Sequence, residues 1–267
     1  MANLRKALIT GGVSGLGLAV AKSLLESGDW TVTLLDTNEQ RGTEVAGTLG
    51  STADFNQVNV TDYASLSAAF HAVYEQQQRL DFVFANAGVV TAQDFYAESS
   101  QDEPPAEPSY KTLDIDLRAV INTSVLARHY LARADNKARQ KNFIVTASCG
   151  GFYAVPNDPL YAAAKHGIIG FVRSVARRYW SRDKIRVNAI CPGLMRTNIL
   201  PDAMFKMFPE DSLTPVEKVV EVVKMLLVSE KYVGQTVEVF GKQHWFRKQI
   251  EYCEPGMAAM MGVTDEL

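Results

Sequence analysis

Two hydrophobic patterns alternate along the chain. Short unbroken apolar runs are followed by stretches in which apolar residues recur every three or four positions. Unbroken runs of this length describe strands buried on both faces, and the 3.6-residue period describes helices with one apolar face. The first run, Ala7-Leu8-Ile9-Thr10, leads into Leu16, Leu18, Val20, Ala21, Leu24 and Leu25 at helical spacing. Trp30–Asp36 predicts a second strand, followed by a helix over 39–49 and a third strand ending Gln57-Val58-Asn59-Val60. Thr61-Asp62 is placed to cap a helix over about 62–78, and Asp81-Phe82-Val83-Phe84-Ala85 predicts the fourth strand. A long helix from about 110 to 133 carries Leu113, Leu117, Val120, Ile121, Val125 and Leu126 as its buried stripe. Strands at 142–146, 185–190 and 236–240 then alternate with helices at 159–179 and 214–228. The strict alternation predicts an α/β fold, doubly wound, with a parallel sheet of about seven strands and helices on both faces.

Three stretches break the rhythm. Residues 91–110 are acidic and proline-bearing (Gln93, Asp94, Glu98, Asp102, Glu103, Pro104, Pro105, Glu107, Pro108) and predict a solvated loop. From 194 to 213 flexible and aromatic apolar residues (Met195, Ile199, Leu200, Met204, Phe205, Met207, Phe208) serve either a core or a pocket. The flanking Pro192, Pro201 and Pro209 favour an interrupted segment that acts as a substrate lid. The extension 241–267 adds Trp245, Phe246 and Tyr252, to which the pattern assigns no partners.

Composition narrows the class without naming a chemistry. With 267 residues, 47% of them hydrophobic, and no linker-like stretch, a single domain spanning 1–267 is expected. The net charge of −3 offers no basic surface, so neither nucleic acid nor a membrane is an expected partner. Three cysteines, Cys149, Cys191 and Cys253, lack paired spacing, which argues against a disulfide framework or bound metal. A reducing, cytoplasmic setting is expected, since the first residues carry no signal-peptide core and no apolar run is long enough to span a bilayer.

Candidate chemistry sits at the strand ends. The turn Thr10-Gly11-Gly12-Val13-Ser14-Gly15-Leu16-Gly17 joins the first strand to the first helix, where glycines let the backbone approach a ligand and free N–H groups face a pyrophosphate. Packing alone also accounts for such a turn. Asp36 ends the second strand about 20 residues on, where a carboxylate accepts the ribose hydroxyls of NAD and repels a 2′-phosphate. A strand-end Asp also caps helices. No Arg or Lys lies in the glycine turn or directly after Asp36. The set points to a Rossmann-type domain that binds NAD. Asn86-Ala87-Gly88 follows the fourth strand at the sheet edge where ligands bind. Tyr161 and Lys165 stand one helical turn apart, so an ammonium can sit near a phenol, or the lysine simply snorkels past the ring. Ser148 lies thirteen residues before Tyr161.

With these features in order, and with Pro192-Gly193 after the sixth strand, the chain resembles the short-chain dehydrogenase/reductase family over about residues 4–240. Tyr161 through Phe171 and Asn188-Ala189-Ile190-Cys191-Pro192-Gly193 resemble the branch that contains 15-hydroxyprostaglandin dehydrogenase. The resemblance implies a catalytic set of Ser148, Tyr161, Lys165 and Asp116. Tyr161 would be the general acid/base, Ser148 would orient the substrate oxygen, and Lys165 would bind the nicotinamide ribose and lower the tyrosine pKa. It further implies cofactor contacts from Gly11, Ser14, Leu16, Gly17, Asp36, Asn59, Val60, Asn86, Ala87, Gly88, Tyr161, Lys165, Pro192 and Thr197. Substrate contacts would come from Ser148, Phe152, Tyr161 and Met195. Two positions depart from the family pattern. Asn59 replaces an aspartate at the adenine, and Asp116 replaces the asparagine of the catalytic tetrad. The function expected is interconversion of a secondary alcohol and a ketone on a fairly apolar small molecule, in a homodimer or homotetramer. The alternative is a scaffold with altered catalysis, either a non-redox enzyme or an NAD-binding sensor.

Overall fold

The computed structural model describes residues 4–91, 94–97, 104–133 and 140–266. Gln93, Glu98, Asp102 and Glu103 of the acidic segment lie outside the described residues. One eight-stranded sheet runs in the order β3-β2-β1-β4-β5-β6-β7-β8, built from β1 (Arg5–Thr10), β2 (Trp30–Asp36), β3 (Ala53–Gln57), β4 (Phe82–Ala85), β5 (Lys141–Thr146), β6 (Ile185–Pro192), β7 (Thr236–Phe240) and β8 (Gln243–Phe246). β1 to β7 pair in parallel, as the unbroken apolar runs predict. β3 stops at Gln57, short of the expected Val60, because the chain turns at Asn59, whose carbonyl accepts from Asp62 N–H.

The eighth strand departs from the expected all-parallel sheet. β8 returns from β7 as an antiparallel hairpin, pairing Glu238 with Trp245 and Val237 with Phe246. The extension that the pattern left without partners thus covers the β7 edge, and Phe246 stacks on Tyr232 with ring centroids 5.0 Å apart. Covering an edge removes a row of unpaired backbone groups. The tail ends in a helix, Pro255–Glu266.

The connecting helices are α1 (Gly15–Glu26), α2 (Glu39–Leu49), α3 (Tyr63–Gln77), α4 (Lys111–Leu113), α5 (Ala119–Leu131), α6 (Pro159–Asp183), α7 (Asp202–Phe205) and α8 (Val216–Val228), with the tail helix as α9. They bury two apolar layers. Leu24, Leu34, Phe84, Val223 and Leu226 fill the α1/α8 side, while Phe70, Tyr130, Phe143, Ile168 and Val187 fill the α3/α5/α6 side. Among the described residues, no helix is long and apolar enough to cross a membrane.

The helix expected over 110–133 is not uniform. Asp114–Arg118 between α4 and α5 is a π-helical turn, which inserts one residue into the ladder and rotates the helix beyond it. Asp116 is thereby turned fully inward, and Val125, expected in the buried stripe, is 52% exposed. Close approach of α6 is permitted by Gly167, where a Cβ would stand 3.1 Å from both Leu117 methyls.

One buried cation ties the sheet to α8. Arg186 donates to the carbonyls of Leu226 (2.9 Å), Leu227 (2.7 Å) and Ser229, which lie at the helix end, where carbonyls run out of helical N–H partners. Substituting Arg186→Met should leave those acceptors buried and unsatisfied, at about 1–3 kcal/mol for the set. A fall of about 3–10 °C in Tm by thermal unfolding is the expected result.

Candidate active site

All the candidate residues gather at the carboxyl ends of the parallel strands. β1 delivers the glycine turn, in which Gly11 adopts φ +64° and lies so close to the β4 exit that a Cβ would stand 2.8 Å from the Ala87 Cα. Gly17, one turn into α1, could carry no side chain, since a Cβ would be 2.2 Å from the Gly11 carbonyl oxygen. The turn is therefore pressed against the helix it starts. Ser14 occupies the N-cap of α1 in an extended conformation without a side-chain capping bond, and the first turn contains no acidic residue. The leading N–H groups of α1, at Leu16 and its neighbours, are thus left to suit an anion.

Asp36 is held at this edge by main-chain donors, Val13 N–H at 3.4 Å and Asn38 N–H at 3.2 Å. The capping role belongs instead to Asn38, whose side chain accepts from Arg41 N–H. Arg41 is the residue that sequence spacing overlooked. Its Nε donates to the Val13 carbonyl at 2.8 Å, so a guanidinium lies against the glycine turn from a position five residues beyond Asp36. Nothing in local spacing marks it, because the contact is made across the α2 start.

Asn86 knits three strands together. Its amide donates to the carbonyls of Thr10 (3.3 Å) and Gly11 (3.2 Å), and its oxygen accepts from the Thr146 hydroxyl at 3.1 Å. The Thr10 hydroxyl accepts from both Asn86 N–H and Ala87 N–H. Gly88 faces the lysine, for a Cβ there would stand 3.5 Å from Lys165 Nζ.

α6 begins at Asp158, whose carboxylate accepts from Tyr161 N–H at 3.0 Å and from Thr91 N–H at 2.8 Å. This cap sets the helix in register with the loop after β4, and with it the Tyr161/Lys165 pair. Lys165 is buried, with Nζ 5.4 Å from the Tyr161 ring centroid, and donates to the Thr146 carbonyl at 3.2 Å. Ser148, also buried, comes after β5 and accepts from Gly150 N–H at 3.1 Å. Gly150 brings this turn against the tyrosine, since a Cβ would meet Tyr161 Cε1 at 3.3 Å and Ser148 Oγ at 3.5 Å.

Asp116 completes the cluster. One carboxylate oxygen accepts from Val89 N–H at 2.8 Å, and the other is ion-paired with Lys165 Nζ at 2.9 Å, off the angle of a strict hydrogen bond. The pair is fully desolvated on the aspartate side, so the charges act at short range in low dielectric. Burial raises the Asp116 pKa, although Lys165 and the Val89 amide oppose the shift. Burial alone would lower the Lys165 pKa, yet Asp116 and Tyr161 outweigh it and hold the ammonium above its ordinary value. The Tyr161 phenol is raised, by burial first and with a contribution from the Asp116 charge, against the lowering influence of Lys165 and a hydrogen bond from Ser148. The lysine does favour the phenolate, as the resemblance implies, but it does not set the net direction.

The remaining candidates surround this cluster. Pro192 ends β6, and Thr197 stands beside the glycine turn, with its methyl 3.4 Å from a Cβ built on Gly15. Asn59 spends its amide oxygen on Thr61 N–H (3.1 Å) and the Thr61 hydroxyl (2.9 Å), and Val60 packs in the core. Met195 packs against the α1/α8 core layer at the start of the 194–213 excursion, whose ends are pinned by Thr214 N–H on the Leu194 carbonyl at 2.7 Å. Within the excursion Phe205 is buried while Met204, Met207 and Phe208 are exposed. Phe152 lies just beyond the Ser148 turn and is flanked by Arg173 and Arg247. Among the described residues no cluster of His, Cys, Asp or Glu is placed to hold a metal ion.

The short chain dehydrogenase family model matches residues 5–204. The short-chain dehydrogenase/reductase prx7 of Penicillium rubens is 39% identical, covering 93% of this chain and 96% of that one. Human 15-hydroxyprostaglandin dehydrogenase [NAD(+)] is 33% identical over 74% of this chain and 71% of its own. Among solved structures, levodione reductase superposes with a TM-score of 0.73 at 26% identity, covering 89% of this chain and 96% of its own. On its strand order, its clustered serine, tyrosine and lysine and these matches, the chain belongs to the short-chain dehydrogenase/reductase family of oxidoreductases.

Proposed function

We propose that the chain is an NAD(H)-dependent oxidoreductase that interconverts a secondary alcohol and a ketone on a fairly apolar small molecule. The observation that carries this is a half-buried phenol, Tyr161, set between the Ser148 turn and the Lys165 ammonium, on the same sheet edge as an uncapped helix N-terminus. The tight backbone at Gly11 and Gly17 and the free first turn of α1 fit a dinucleotide, whose nicotinamide supplies the hydride acceptor or donor. Gly11, Ser14, Leu16 and Gly17 would hold its pyrophosphate, Asp36 its adenosine ribose, and Asn59 and Val60 its adenine. Asn86, Ala87 and Gly88 would line the route to the nicotinamide ribose at Tyr161 and Lys165, with Pro192 and Thr197 at the carboxamide. For alcohol oxidation, Ser148 orients the substrate oxygen and the Tyr161 phenolate removes its proton. Lys165 stabilises the phenolate, and Phe152 and Met195 pack against the substrate body. For ketone reduction, the neutral phenol donates.

The test is a panel of secondary alcohols and ketones offered with each of the four nicotinamide cofactors, read as absorbance at the nicotinamide band. Tight cofactor binding without turnover on any substrate would favour the altered-scaffold reading instead. The Asp116–Lys165 pair is the feature that recommends that reading, since the carboxylate offsets the charge of the ammonium.

Preference for NAD over NADP rests on Asp36, and Arg41 bears on it from the other side. Replacing Asp36 with Ala is expected to weaken NAD binding by about 1–3 kcal/mol through loss of charged hydrogen bonds. The same change should admit a 2′-phosphate, with the Arg41 guanidinium as its partner. Titration of both cofactors checks this. The double variant Asp36→Ala/Arg41→Ala should lose the gained NADP affinity, whereas an unchanged NAD/NADP ratio in Asp36→Ala would place selectivity elsewhere.

A further inference from the structure

We infer that the C-terminal hairpin is a clamp that positions the Ser148 turn, with Glu238 and Arg247 as its positioning residues. The clamp rests on the proposed role of Ser148 for its catalytic consequence, and on contacts alone for its mechanical one. The turn itself is compact. Gly150 N–H is bonded to Ser148 Oγ, Gly151 N–H to the Ser148 carbonyl, and both Phe152 and Tyr153 N–H to the Cys149 carbonyl, at 2.9–3.1 Å. Four N–H hydrogen bonds over six residues tie 148–153 into one compact turn.

Two side chains of that turn are gripped by the β7–β8 hairpin and the residue that follows it. The Tyr153 hydroxyl donates to Glu238 Oε2 at 3.2 Å, and the same oxygen is ion-paired with Arg247 Nη1 at 3.3 Å. Glu238 lies on β7 with its side chain only 9% exposed, so the carboxylate has lost most of its water and needs both partners. The Arg247 guanidinium also lies over the Phe152 ring at 5.5 Å, and Arg173 of α6 lies over it at 6.0 Å. Arg173 reaches on to the carbonyls of Arg247 (3.0 Å) and Lys248 (3.1 Å) and to the Thr236 hydroxyl (3.0 Å). The Thr236 hydroxyl in turn donates to the Arg247 carbonyl at 2.8 Å, and Arg247 N–H donates to the Thr236 carbonyl at 2.8 Å. Tail, α6, β7 and the Ser148 turn are thus joined through one aromatic ring and one carboxylate. A turn displaced by even about 1 Å would misplace the substrate oxygen, and such errors cost up to about a hundredfold in rate.

Amide hydrogen exchange of the full-length protein tests the clamp without reference to activity. In the parent, the Gly150, Gly151, Phe152 and Tyr153 amides should be protected. Glu238→Ala and the surface variant Arg247→Ala should each speed their exchange about tenfold or more while the β1, β4 and β5 amides stay protected. Glu238→Gln keeps the acceptor for Tyr153 and should stay within about threefold of the parent. Turnover should keep the same order, with kcat about tenfold lower in Glu238→Ala and cofactor affinity within about twofold. Unchanged protection of 150–153 in both alanine variants would overturn the clamp, as would loss of protection spread evenly over the sheet. An inactive parent with the exchange pattern as expected would leave the clamp standing and sink the oxidoreductase reading alone.

Discussion

Replacing Tyr161 with Phe is expected to lower turnover by about 10²–10⁴-fold while cofactor affinity stays within a few-fold. The ring of phenylalanine fills the same half-buried space on α6, and the cation of Lys165 5.4 Å from the ring centroid is left in place. In the proposed mechanism, the substitution removes the group that exchanges a proton with the substrate oxygen beside Ser148. The loss should fall on kcat and kcat/KM together, since the proton moves only in the transition state. Steady-state kinetics in both directions with a cofactor titration would check it. Retention of more than a tenth of the activity would move the acid/base role to another group.

Asp116→Asn is expected to raise alcohol oxidation several-fold at neutral pH and to shift its alkaline rise to lower pH. The direction is set by the charges in the cluster. Oxidation needs the phenolate, so its rate climbs as pH passes through the Tyr161 pKa. That pKa is raised by burial and further by the Asp116 charge, and Lys165 lowers it. Removing the carboxylate therefore takes away a repulsion and frees the ammonium from a partner 2.9 Å distant, and both effects favour the phenolate. Asparagine retains an oxygen for Val89 N–H, so the π-helical turn keeps its anchor. Ketone reduction, which needs the neutral phenol, should lose its alkaline limb at correspondingly lower pH. Asp158, Cys149 and Cys191 also act on this cluster and are unchanged by the substitution. The folded Lys165 pKa stands above its ordinary value, so the lysine's contribution to stability is complete below that value and is lost as pH rises through the folded pKa, whereas Asp116, raised by burial, carries the opposite sign and costs stability above the ordinary carboxylate range. Thermal melts of parent and variant should therefore differ less at strongly alkaline pH than at neutral pH. Superimposable pH–rate profiles would show that the phenol does not sense Asp116.

Much of this protein was legible in its residue order because the relevant physics is local. Unbroken apolar runs and 3.6-residue periods report burial of one strand or one helix face, and they marked seven parallel strands and the helices between them. The glycine turn, Asp36, Asn86 and the Tyr161/Lys165 pair are likewise short-range patterns, and the parallel sheet brings them to one edge because its parallel strands all end there. Features beyond the pattern depend on contacts between residues far apart in sequence. The period of the helix after residue 110 does not reveal that a π-helical turn aims Asp116 at Lys165, 49 positions away. Spacing does not reveal that Arg41 reaches Val13, or that the last strand folds back on β7 so that Arg247 meets Glu238 and Phe152. In each case a charged or aromatic side chain has several possible partners of similar energy in water, and only the packed structure selects one by excluding solvent from it. Residue order alone was enough to specify the parallel sheet, the helices and which candidate residues gather along the sheet edge. How those residues pair, and in which direction their pKa values shift, emerged only from the folded chain, because both depend on burial and distance, which residue order does not contain.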